Sequence, residues 1–167
     1  MVPHQLGGWI RSQGDKFIII TMLGTAVTGL FAVAQQIGLV MGILMSSLNK
    51  ALYPILFKKL SKELSFKEKE LIVKITYFIA FLIVIVGLFF IIAVEFIYPL
   101  LLGIEFQASL LLTQLIIVAF VFEGFYYLIV NYIFFFKETA KLAKITFSIS
   151  IIHIILSITL VKLYGTI

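Results

Sequence analysis

The sequence predicts an all-α protein, a polytopic transmembrane helical bundle of about five spans, on three observations. The chain is 62 % hydrophobic and only 13 % charged, against about a quarter charged in an ordinary soluble domain. Uncharged stretches run from Phe17 to Asn49, Ile75 to Val94, Phe106 to Phe122 and Ile145 to Val161, and apolar runs of about 18 or more residues are read as membrane-spanning helices. The lysines gather between these stretches, where connections belong.

The first expected helix runs from about Pro3 to Gly24. The 33 uncharged residues from Phe17 to Asn49 would make a helix about 50 Å long, against about 30 Å of hydrocarbon. The stretch is too long for one span and too short for two, and "GTAVTG" supplies a break. Helix 1 must therefore borrow the preceding residues, which brings Arg11, Asp15 and Lys16 to membrane depth. His4, Gly8, Arg11, Ser12 and Asp15 share one stripe of that helix, bordered by Lys16. Charges at the centre of a span cost about 2.5–3.5 kcal/mol each on insertion scales, so the stripe should face a partner or a water-filled cavity.

Helix 2 is expected from about Val27 to Phe57. Ala34, Gly38, Gly42 and Ser46 recur every fourth residue, a spacing that lets a second helix approach closely. Gln35, Gln36 and Asn49 either line a cavity or bond between helices. Helix 3 is expected from about Leu71 to Leu101, helix 4 from about Gln107 to Phe136 and helix 5 from about Thr139 to Tyr164. On helix 4, Glu123, Tyr127 and Asn131 fall on one face, and Glu123 is its only charge. A carboxylate there would pair with Arg11 or Lys16, or take up a proton. His153 on helix 5 has no second ligand at helical spacing and is expected to be packed and hydrogen-bonded, with no metal.

The connection from Phe57 to Lys74 carries six lysines and that from Phe134 to Lys144 three, while only Lys162 lies near the other membrane face. The lysine-rich connections are expected to be cytoplasmic, and the N-terminus with them. The chain reads as one domain, 1–167. With no cysteine there is no disulfide or thiolate site, and no short hydrophobic core with a cleavage site marks a signal peptide. The formal charge of +5 comes without an aromatic-interleaved basic patch, so nucleic acid is not an expected partner. No nucleophile motif, metal motif or phosphate-cradling loop occurs, so neither an enzyme nor a cofactor is expected.

"VPHQLGGWIRSQGDKFII", then "LGTAVTGLFAVAQQIG", "LNKALYPILFKKL", "PLLLGIEFQAS" and "FFFKETAK" together resemble, in order, the C-terminal half of Wzx-like polysaccharide flippases in the MATE/MOP superfamily. Asp15-Lys16 stands where that family has an Asp-Arg pair, and Phe31 where it has tyrosine. The resemblance implies the seventh to eleventh helices of a longer protein, without its first lobe and last helix. It implies a multi-pass protein of the bacterial inner membrane that flips undecaprenyl-pyrophosphate-linked oligosaccharide by alternating access, for O-antigen, capsule or exopolysaccharide assembly. Its partners would be membrane lipid, the lipid-linked oligosaccharide, an N-terminal lobe, and a polymerase and glycosyltransferases. Candidate substrate contacts are His4, Arg11, Asp15, Lys16, Gln36, Asn49, Tyr127 and Asn131, with Glu123 and Asp15 for ion coupling. Two other classes stand beside this one: a MATE-type exporter of cationic drugs, which would need a cavity attracting cations, and a non-transporting membrane assembly subunit.

Overall fold

The computed structural model describes residues 2–165, with side chains for 14–103, 105–163 and 165. Four α-helices make up the described chain: α1 (Val2–Leu60), α2 (Phe66–Leu101), α3 (Leu110–Phe135) and α4 (Thr139–Tyr164), with a short 3-10 helix, Ile104–Ser109, ahead of α3. All four are long and apolar enough to cross a membrane, α1 over Gly14–Leu60. Five spans are expected from the sequence; the first two both fall within α1, which is two helical stretches joined at a break at Gly24. There the backbone adopts φ 85, ψ −179, a combination open essentially to glycine alone. Thr28 Oγ1 donates to the Gly24 carbonyl at 2.8 Å on the far side of the break.

The chain divides into two compact units, Met1–Val33 with Glu138–Ile167, and Ala34–Lys137. The second holds the hydrophobic core of Met41, Met45, Ile83, Val94, Tyr98 and Ile117. Its helices meet through glycines. A Cβ on Gly38 would stand 2.5 Å from Ile116 Cγ2, one on Gly42 2.5 Å from Phe120 Cε1, and one on Gly124 2.6 Å from Met45 Sδ. Gly87 receives the side chain of Val121 in the same way. The small residues of α1 are thus the floor on which α3 side chains rest, and between lipid-bathed helices such close van der Waals packing replaces the hydrophobic drive.

Helix ends follow local chemistry. Ser65 caps α2 in a capping box: Glu68 N donates to Ser65 Oγ at 3.4 Å, and Ser65 N donates to Glu68 Oε2 at 2.8 Å. The backbone N–H and then the hydroxyl of Ser65 hold the Glu68 carboxyl below its usual range. At the turn into α3, Tyr98 OH bonds Ser109 Oγ at 3.1 Å and also meets Thr113 Oγ1, tying α2 to α3 through a buried hydroxyl cluster. α3 ends where Lys137 turns to φ 58, a left-handed position usually given to glycine. Large apolar side chains such as Phe78, Phe81, Phe89, Phe96 and Phe122 point outward, as they would toward acyl chains.

Candidate functional site

Within Ala34–Lys137, the polar face of α3 is built as the sequence spacing implies, and it gains a partner from α1. Tyr127 OH donates to Glu123 Oε1 at 2.9 Å, one helical turn away. A further turn along, Asn131 Nδ2 donates to Asn49 Oδ1 at 2.7 Å across to α1. Asn131 is only 4 % exposed, so this amide pair satisfies polar groups that neither packed apolar side chains nor lipid could serve. Glu123, the one charge on this face, accepts from a tyrosine hydroxyl on its own helix. Gln36, on the same unit, is exposed and its side chain makes no hydrogen bond among the described residues.

A second polar group lies in the unit formed by Met1–Val33 and Glu138–Ile167. Ser157 Oγ donates to Asp15 Oδ1 at 3.2 Å, and His153 Nε2 stands 3.8 Å from Asp15 Oδ2. Both Asp15 and His153 are about a third exposed, so the pair opens at the surface of its unit. Lys16 is half-buried beside Asp15 and has no ion-pair partner within 4.0 Å among the described residues. The side chains of His4 and Arg11 lie outside the described residues. His153 is packed against a hydrogen-bonded carboxylate, and the sequence carries no signal of it: Ser157, one turn beyond, is 142 positions from Asp15. Glu95, accepting from Gln114 Nε2 at 3.0 Å, is a further α2–α3 contact that spacing alone does not disclose. No group of three or more histidine, aspartate or glutamate side chains able to hold a metal occurs among the described residues.

Four membrane-length helices carrying hydrogen-bonded carboxylates and amides within their apolar length define an integral membrane protein with polar sites inside its spans. The chain belongs to a family of polysaccharide biosynthesis proteins, whose model matches residues 1–111. It is also similar to a Haemophilus influenzae protein described as Lsg locus putative protein 1, with 25 % identity over 158 residues. That match covers 92 % of this chain and 38 % of the relative, so the chain spans well under half of the relative's length. No solved structure matches.

Proposed function

We propose that this chain is part of a flippase for lipid-linked oligosaccharide, acting in the bacterial inner membrane with its lysine-rich connections on the cytoplasmic side. The observation that carries the reading is the polar face Glu123–Tyr127–Asn131 with Asn49, set into an otherwise apolar pair of spans. Buried polar groups in a span are costly and mark substrate or ion pathways, and a hydroxyl-and-amide face is chemistry suited to sugar hydroxyls. Family membership adds that the glycan is the class of molecule involved.

In this reading a second helical lobe moves against this one so that a polar cavity opens to each face in turn. Lys16 and Arg11 offset the charge of a pyrophosphate linker in a low-dielectric region. Asn49, Tyr127, Asn131, Gln36 and His4 offer hydrogen bonds to sugar, while Glu123 and Asp15 exchange the coupling cation or proton. The test is glycan export by the intact protein. Asn131→Leu and Lys16→Ala are expected to reduce surface glycan while the protein still reaches the membrane. Normal export by both would refute the assignment of the polar face. Drug resistance without a glycan phenotype would favour a cation exporter, and loss of a partner enzyme from the membrane would favour an assembly subunit.

A further inference from the structure

A crevice of about 120 Å3 opens at the lysine-rich end of Ala34–Lys137, between the last turns of α1, the first turns of α2 and the end of α3. Its walls are mainly leucine and isoleucine, among them Leu52, Ile55, Ile75 and Ile79. The few uncharged polar side chains in the walls each hold a bond to a neighbour. Thr76 Oγ1 donates to Ile72 O at 2.9 Å and lies 3.3 Å from Tyr132 OH, and the Asn131 amide is bonded to Asn49. The remaining polar lining group is Lys59, exposed on the last turn of α1.

We propose that this crevice is a binding site for an anionic phospholipid, with one acyl chain between the helices and the phosphate against Lys59. Leucine and isoleucine make up most of the walls, and Thr76, Tyr132 and the Asn131 side-chain nitrogen already have partners, so the crevice suits an occupant whose buried part is apolar. The volume is close to that of cavities of about 150 Å3 that stay dry and take up small hydrocarbons, and so holds a short run of methylenes. Ile55 and Ile75 at the crevice are themselves open to the outside, which lets the rest of the chain continue into the bilayer. Charge complementarity selects the headgroup. The connection from Lys58 to Lys74 carries six lysines against three glutamates. Glu70 is paired with Lys74 at 2.7 Å and Glu68 is engaged by Ser65, while Lys59 at the crevice has no ion-pair partner within 4.0 Å among the described residues. The inference is independent of the flippase reading: it concerns the annulus of the protein, whatever crosses it.

The test is native mass spectrometry of the full chain released from micelles carrying equal dioleoyl-phosphatidylglycerol and dioleoyl-phosphatidylcholine. The protein is expected to retain the anionic phosphatidylglycerol preferentially. Lys59→Gln should lower that retention about fivefold, the factor expected for one lysine near an anionic headgroup. Lys67→Gln, outside the crevice, should change it less than about twofold. Ile75→Trp, filling the crevice at an already exposed position, should lower retention of both lipids. Equal losses for Lys59→Gln and Lys67→Gln would overturn the proposal in favour of diffuse surface charge. Unchanged retention in Ile75→Trp would overturn it as well, as would dimers broken by that variant, which would make the occupant a second copy of the chain.

Discussion

Gly24→Ala isolates the cost of the break in α1. A Cβ at Gly24 meets nothing within 4 Å, so no clash contributes. The whole penalty is the backbone's, and holding a non-glycine residue at φ 85, ψ −179 costs about 1–3 kcal/mol. Gly29, one turn further along the same helix, also has open space around its Cα but no positive φ. Alanine there should stabilise by about 0.5–1 kcal/mol through reduced freedom of the unfolded chain. The two variants add the same methyl group to equally empty surroundings and should differ by about 1.5–4 kcal/mol. Unfolding in dodecyl maltoside micelles titrated with dodecyl sulfate, followed by circular dichroism, measures the gap. Equal stability of the two variants would show that the break at Gly24 is not held in the folded protein, and α1 would have to be a straight helix about 90 Å long.

Gly42→Ala should destabilise by about 1–3 kcal/mol, since the new methyl meets three atoms of the Phe120 ring at 2.5–2.9 Å; Gly42→Ala combined with Phe120→Leu should recover much of the loss in the same unfolding assay. Asn49→Ala and Asn131→Ala should show a coupling of about 0.6–1.7 kcal/mol in a double-mutant cycle, the range for hydrogen bonds between membrane helices. Lys137→Gly should raise stability by about 1 kcal/mol by relieving the left-handed residue at the end of α3. The Ser65 backbone N–H and hydroxyl hold the Glu68 carboxyl below its usual range, so its cap contributes fully above that usual range and is lost as pH falls through the lowered value. Protection of the start of α2 against hydrogen exchange, taken relative to the intrinsic rate at each pH, should therefore fall in acid, and Ser65→Ala should remove that change in protection.

Periodicity and composition made the helices legible because a span must satisfy its own backbone and present apolar atoms all round. "GTAVTG" located the break, and the structure places it at the glycine that can adopt the required φ. α2 begins at Phe66 and not near Leu71, because the Ser65–Glu68 capping box starts the helix in water ahead of its apolar run. The small-residue stripe of α1 gave away its close packing, although which side chains would fill it, Ile116 and Phe120, depends on the register of α3. The shared face of Glu123 and Tyr127 was readable from their four-residue spacing, and the structure joins them by a hydrogen bond. The Asn49–Asn131 bond, 82 positions apart, and the approach of His153 to Asp15 were not, since each depends on how separate helices rotate against each other.

The role proposed for the protein is to move a lipid-linked glycan across the membrane. The most direct measurement is the leaflet distribution of the lipid-linked oligosaccharide in cells lacking the gene for this chain, read by attack of a membrane-impermeant glycosidase on right-side-out and inverted vesicles. A flippase role predicts that the completed oligosaccharide accumulates and is cleaved only in inverted vesicles, where the cytoplasmic leaflet faces out. A truncated or absent oligosaccharide, or one still cleaved in right-side-out vesicles at the level of the parent cells, would contradict it.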